Sequence, residues 1–154
     1  MDLSTILSPT AVRVASAVSS KKRLFIELGE IATGSLDLSL DTTVEALLER
    51  ENLGPTGVGN GVALPHARLA DINQVSGAFL RLEKPLDFNS ADRQPVDLVF
   101  ALFAPKNAGV EHLKALALVS RTMRDGSICA KLRANSDPAT LHAILTETLE
   151  SRAA

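Results

Sequence analysis

The sequence predicts an α/β fold in which a single mixed β-sheet is flanked by helices on both faces. Short apolar or alternating segments are separated by longer stretches with apolar residues at helical spacing, an order typical of such sheets. The strand predicted over residues 96–103 is nearly all apolar, which indicates a central position in the sheet. The chain has 154 residues and no repeat or low-complexity linker, so we expect one domain over residues 1–154.

Each predicted element has a local signal. Strands are expected at residues 12–15, 61–64, 75–82 and 96–103, and Pro105 ends the last of them. Ser20 can cap a helix with Leu24, Leu28 and Ile31 on one face and Gly34 just past its end. The stretch 42–45 (Thr-Thr-Val-Glu) fits a capping box and predicts a helix running to about residue 50. Three further helices are expected at residues 110–124, 127–133 and 138–149.

The composition excludes several classes of protein. A net charge of −2, 3% aromatic residues and no Trp or Tyr argue against a nucleic-acid partner. The single cysteine, Cys129, cannot form an internal disulfide, which favours a reducing compartment. We find neither a leader peptide nor an apolar run of about 20 residues, so we expect a cytoplasmic protein with no direct membrane insertion.

A glycine-rich segment, residues 57–61, leads into a short apolar strand, Pro65 and His66. No Lys-Ser or Lys-Thr follows the glycines, as a P-loop requires, and they precede a strand rather than follow one, which excludes a dinucleotide fingerprint. Two interpretations stay open for these glycines: backbone amides that bind an anion, or a tight turn without a ligand. Pro65 keeps the residue before it extended and therefore presents His66 at the carboxyl end of the strand.

A histidine at that place suits reversible phosphoryl transfer. Its neutral ring has one nucleophilic nitrogen near pH 7, and a hydrogen bond can hold the other nitrogen. A metal site is not expected, because the spacing of His66, His112 and His142 matches no compact ligand pattern. A serine hydrolase is not expected either, since no G-x-S-x-G motif is present. The pattern calls for no cofactor.

These residues resemble a known family. Glu51, Val58, Gly59 and the run 62–67 (Val-Ala-Leu-Pro-His-Ala) are similar to the phosphohistidine signature of type-2 enzyme IIA domains, the mannitol/fructose/nitrogen class of the bacterial phosphotransferase system. The stretches 19–23, 48–51, 56–61, 94–102 and 111–113 resemble its nitrogen-regulatory subgroup. The resemblance covers nearly the whole chain and implies the mannitol-type enzyme IIA fold.

The resemblance also implies a function and a set of site residues. The protein would be a phosphotransferase component that accepts a phosphoryl group on His66, at Nε2, from an HPr-like phosphocarrier (NPr). His112 would be a second active-site histidine and Arg50 a cationic neighbour. We also expect Gly59, Asn60 and Gly61 to stabilise the phosphoryl group. Sensor kinases or potassium-transport regulators are the implied regulatory partners.

Two alternatives stay open. A sugar-specific enzyme IIA for fructose or mannitol would instead donate its phosphate to a IIB component. A regulatory module that binds proteins without being phosphorylated would not need His66 as an acceptor. Phosphorylation tests of the wild type and of His66→Ala separate a phosphocarrier from a binding module. Loss of the uptake of one sugar on deletion would identify the sugar-specific alternative.

Overall fold

The computed structural model describes the backbone of residues 1–153 and the side chains through Glu147. In this part of the chain there are six α-helices and six β-strands. The helices are α1 (Leu3–Ile6), α2 (Lys21–Leu36), α3 (Leu40–Leu53), α4 (Val110–Met123), α5 (Gly126–Arg133) and α6 (Pro138–Ala153). The strands are β1 (Val12–Ala15), β2 (Gly57–Gly59), β3 (Val62–Ala63), β4 (His66–Leu69), β5 (Ser76–Leu86) and β6 (Val96–Pro105).

All six strands belong to one open mixed sheet. Its order is β1-β5-β6-β3-β2, and β4 also pairs with β6. β6 runs antiparallel to β5 and parallel to β3 and β4, so β3 and β4 follow one another along the same side of β6. β6 is therefore internal to the sheet, as its apolar sequence predicted.

Helices cover the sheet on both faces. Successive strand residues point to opposite faces, yet every residue of β6 except Asp97 is buried, and so are the first five residues of β5. This burial on both faces explains why β6 lacks the alternation of a half-exposed strand. The predicted fold class, a mixed sheet between helices, is confirmed.

The start of α2 is as predicted, but its end is not. Ser20 caps the helix and accepts a hydrogen bond from the amide of Arg23 at 3.1 Å. The expected stop at Gly34 is wrong, because the helix continues to Leu36. It ends where Asp37 turns to a positive φ of 57° and donates its amide to the Ala32 carbonyl. Aspartate tolerates this left-handed conformation better than most residues, so no glycine is needed there.

The boundaries of α3 also differ from the prediction. The helix begins at Leu40 with Ser39 as its cap, rather than at the capping box of residues 42–45, and it continues past Arg50 to Leu53. A Cβ built on Gly29 would lie 2.8 Å from the Leu40 side chain and 2.7 Å from that of Val44. The close approach of α2 to α3 at this glycine needs the first turn of α3 to be helical already at Leu40.

The strand that leads to His66 is interrupted, not finished. β3 pairs Val62 with Leu98, and β4 then pairs His66 with Leu102. Pro65 lies between the two segments and accepts a hydrogen bond from the Leu102 amide at 3.0 Å. His66 is therefore the first residue of a new strand segment, not the last residue of the old one, beside the carboxyl half of β6.

Candidate phosphohistidine site

Both nitrogens of the His66 ring have partners. Nδ1 lies 2.9 Å from the Leu64 carbonyl oxygen, and Nε2 lies 3.1 Å from Nε of Arg50. The guanidinium of Arg50 also donates to the Gly54 carbonyl at 3.0 Å. α3 positions this arginine, because Arg50 lies in its last turn, where a cation is also favoured by the helix dipole.

These partners determine which nitrogen carries the proton. An arginine N–H can only donate, so Nε2 must offer its lone pair, and a carbonyl can only accept, so Nδ1 must carry the hydrogen. Burial is the main reason that the pKa of His66 lies below its ordinary value. The Leu64 hydrogen bond opposes this lowering, and the charge of Arg50 adds to it. These contacts and the lowered pKa favour the neutral ring, with its lone pair on Nε2.

His112, the second histidine implied by the family resemblance, lies against His66. The two ring centroids are 5.7 Å apart and the ring planes meet at 69°. His112 is only 6% exposed, and among the described residues its Nε2 has no hydrogen-bond partner. Burial lowers the pKa of His112, and the neighbouring charges of His66 and Arg68 lower it further. A buried polar atom without a partner costs about 1–3 kcal/mol, so this atom is one that a bound group would stabilise.

The two histidines line a cavity of about 610 Å³. Two leucines on its rim, Leu53 and Leu113, are 85% and 65% exposed, unusually high for large apolar side chains. Arg68 also lines the cavity and donates to the Lys106 carbonyl at 3.3 Å. The remaining lining residues are Ala46, Glu49, Arg50, Ala67 and Leu116. The cavity therefore combines cations and imidazoles with an apolar rim.

Gly59, Asn60 and Gly61 are not part of this site. They form the turn of the β2–β3 hairpin, in which both central residues, Asn60 and Gly61, have positive φ, as type I′ turns require. The turn lies near the start of β6, since the Gly61 carbonyl accepts from the Asp97 amide at 3.0 Å, whereas His66 pairs with Leu102. Direct contact between this turn and a phosphoryl group on His66 does not fit that placement.

The polar groups of the hairpin turn have other partners. The Asn60 amide donates to the Asp92 carboxylate at 3.0 Å, and its carbonyl accepts from Arg133 at 2.7 Å. Arg133 in turn makes two hydrogen bonds to Asp97, both at 2.9 Å. Of the two interpretations left open by the sequence, the structure supports the tight turn. The dipeptide Asn-Gly between two short extended segments was the local signal for it.

The sequence did not predict the roles of Leu64 and Glu51, although both lie in the stretch that resembles the family signature. The Leu64 carbonyl fixes Nδ1 of His66, and the signal for it was Pro65, which keeps the preceding residue extended. Glu51 is a buried carboxylate directly after Arg50, and its ion pair with Lys21 at 2.8 Å joins residues that are distant in sequence. No local pattern predicts a pair of that kind.

No group of three or more His, Cys, Asp or Glu side chains in the described part of the chain is placed to hold a metal ion. None of the helices in the described range is both long enough and apolar enough to cross a bilayer.

Comparisons with known proteins agree with this architecture. Residues 5–148 match the family described as "Phosphoenolpyruvate-dependent sugar phosphotransferase system, EIIA 2". A nitrogen regulatory protein of Bradyrhizobium diazoefficiens is 44% identical over 145 residues, 94% of this chain and 95% of that protein. The crystal structure of nitrogen regulatory protein IIA-Ntr from Neisseria meningitidis superposes with a TM-score of 0.87 at 40% identity, over 94% of this chain and 99% of that one. The IIA mannitol structure from Escherichia coli shares the fold, with a TM-score of 0.76 at 20% identity over 90% and 98%. The chain therefore belongs to the EIIA type-2 family of the phosphotransferase system and is similar to its nitrogen regulatory members.

Proposed function

We propose that this protein is a phosphocarrier in which Nε2 of His66 accepts a phosphoryl group from an HPr-like histidine phosphocarrier. The observation that carries the proposal is the pair of contacts on His66, which leave Nε2 as the only unprotonated ring nitrogen and direct it toward Arg50. Membership in the family supports a role in phosphotransfer. The transfer would take place in the cytoplasm, where such a carrier is found.

The proposed step needs no proton transfer. The Nε2 lone pair of His66 attacks phosphorus, and the phosphorus–nitrogen bond of the donor breaks with its electron pair returning to the donor's nitrogen. His66 then carries a positive charge, which the Nδ1–H donated to the Leu64 carbonyl stabilises. Catalysis of phosphoryl transfer consists mainly of such positioning and electrostatic stabilisation.

Two neighbours would stabilise the transferred group. The guanidinium of Arg50, which now donates to Nε2, would turn its N–H groups to the phosphoryl oxygens. His112 would donate from Nε2, the buried atom without a partner, to the same oxygens. Both contacts would form as the phosphoryl group arrives, so they would stabilise the transition state more than the ground state and thereby lower the barrier.

We propose further that phosphorylation regulates partner proteins rather than a sugar transporter. The phosphoryl group would add about 1.5–2 negative charges beside the exposed Leu53 and Leu113. A protein that packs against these leucines would therefore bind one of the two states more tightly. Sensor kinases and potassium-transport regulators are the partners that we propose, and the similarity to nitrogen regulatory proteins favours them over a sugar-specific IIB component.

A phosphorylation assay tests the proposal. The protein is incubated with phosphoenolpyruvate, enzyme I and the carrier, and intact mass spectrometry should show one acid-labile phosphoryl group. It should be absent from His66→Ala and present in the control His142→Gln, whose ring lies on α6 and contacts the Leu7 carbonyl. If the wild type takes up no phosphate yet still binds its partner, the protein is a binding module instead. Rapid transfer from His66 to a fructose or mannitol IIB protein would favour the sugar-specific alternative.

A further inference from the structure

A buried carboxylate lies directly beyond Arg50. Glu51 is 8% exposed and accepts hydrogen bonds from the Thr56 amide at 3.0 and 3.2 Å and from the Thr56 hydroxyl at 2.7 Å. Nζ of Lys21 lies 2.8 Å from the same carboxylate and 4.3 Å from the centre of the Phe88 ring. A buried charge is costly unless it is paired and hydrogen-bonded, and all the oxygens of this one are engaged.

A short chain of hydrogen bonds connects Glu51 to Nδ1 of His66. The carboxylate holds the amide and hydroxyl of Thr56, and the Thr56 carbonyl accepts from the Leu64 amide at 2.9 Å. The Leu64 carbonyl then accepts from Nδ1 at 2.9 Å. Hydrogen bonds through Thr56 thus link the carboxylate of Glu51 to Leu64, whose carbonyl accepts the Nδ1 proton of His66.

A second chain of hydrogen bonds leads to Nε2 from the backbone of Glu51, not from its side chain. The Gly54 amide donates to the Glu51 carbonyl at 3.1 Å, and the Gly54 carbonyl accepts from Arg50 at 3.0 Å. Nε of that arginine donates to Nε2 of His66 at 3.1 Å. Residues 54–56 are therefore held between Glu51 and the two groups that contact the ring.

We infer that Glu51, neutralised by Lys21, is a positioning residue that holds His66 as the Nδ1–H tautomer with Nε2 unprotonated. Its carboxylate anchors Thr56, so the Leu64 carbonyl keeps the place from which it orients His66. The inference rests on the proposed function only in taking Nε2 as the reacting atom.

The tautomer can be measured without any phosphoryl transfer. Nitrogen-15 NMR of the unphosphorylated wild type should show His66 in one tautomer, with the proton on Nδ1. In Glu51→Ala we expect a mixture of both tautomers and a transfer rate lower by about 10- to 100-fold, the range known for residues that orient metal-binding histidines. The control Glu45→Ala removes an exposed carboxylate from the same helix and should change neither quantity.

Conservative variants distinguish positioning from a general loss of stability. Lys21→Met combined with Glu51→Gln removes both charges but keeps an oxygen for Thr56, so it should retain the single tautomer and most of the rate. Thr56→Val keeps the ion pair and removes the hydroxyl bond, so it should mix the tautomers in part. If Glu51→Ala is unfolded, these two variants decide the question.

Some results would overturn the inference. The first is a folded Glu51→Ala that has the wild-type tautomer and transfer rate. If Glu51→Ala does not fold, the same result for a folded Thr56→Val would overturn the inference. If Glu51→Ala lowers the free energy of unfolding but leaves the tautomer of His66 unchanged, the role of Glu51 is purely structural. The tautomer is measured without a phosphate donor. A wild type that never accepts phosphate would therefore refute the proposed function without affecting the test of Glu51.

Discussion

Arg50→Met is the substitution whose effect follows most directly from the geometry. It removes the N–H that lies 3.1 Å from Nε2 of His66 and the contact with the Gly54 carbonyl. A hydrogen bond to a charged group contributes about 1.5–3 kcal/mol. If the guanidinium makes one such bond to the phosphoryl group only in the transition state and product, the loss is roughly 10- to 100-fold in transfer rate. The pKa of His66 should rise at the same time, because the charge of Arg50 lowers it.

The assay is the initial rate of phosphoryl transfer from the phosphorylated carrier, stopped by quenching and quantified as phosphohistidine. Arg121→Met is the matched control, since Arg121 is an exposed arginine in the last turn of α4 and should leave the rate unchanged. Arg50→Lys keeps the charge without the planar fork of donors, and its rate should fall between those of the wild type and Arg50→Met. A folded Arg50→Met that accepts phosphate at the wild-type rate would refute the role given to this residue.

Four further predictions concern His112, two glycines and the titration of His66. His112→Ala should slow transfer and leave the circular dichroism spectrum unchanged; an unchanged rate would contradict its role. Gly61→Ala should lower the unfolding free energy in urea by at least about 1 kcal/mol, because φ is 79° and a Cβ would lie 2.5 Å from Arg133. Gly34→Ala, where the Cβ meets nothing within 4 Å, should be neutral or stabilising. The NMR titration of His66 should have its midpoint below about 6.5, since burial lowers its pKa, and a higher midpoint would contradict this.

The lowered pKa values of His66 and His112 also set the direction of the pH dependence of stability. Between the folded and the unfolded pKa, the unfolded chain binds more protons, so the unfolding free energy rises with pH. The two rings therefore contribute their full stability above about pH 6.5, and this contribution decreases as the pH falls below it.

The parts of the fold that the sequence predicted well are those with strong local signals. β6 was predicted as central because residues 96–103 are nearly all apolar, and nine of its ten residues are buried. The start of α2 followed from the cap at Ser20. The start of α3 could not be chosen locally, because Ser39 and Thr42 are both good cap residues. Packing decides between them, since Gly29 lets the first turn of α3 approach α2 closely.

The site likewise combines residues that the sequence indicates with contacts that only packing determines. His66, His112 and Arg50 were predicted from the family resemblance, and the structure brings all three together. The sequence left two interpretations of the glycine turn open, because glycines that allow positive φ for a hairpin look the same in sequence as glycines that bind an anion. The ion pair of Lys21 and Glu51 depends on the packing of α2 against α3, which no local pattern reveals.

The position of the phosphoryl group on the ring tests the central claim most directly. The wild type, labelled with nitrogen-15 in its histidines, is phosphorylated through enzyme I and the carrier and examined by NMR. The contacts of His66 predict phosphate on Nε2, with the proton retained on Nδ1 toward the Leu64 carbonyl. Phosphate on Nδ1, on another residue, or on none would contradict the account.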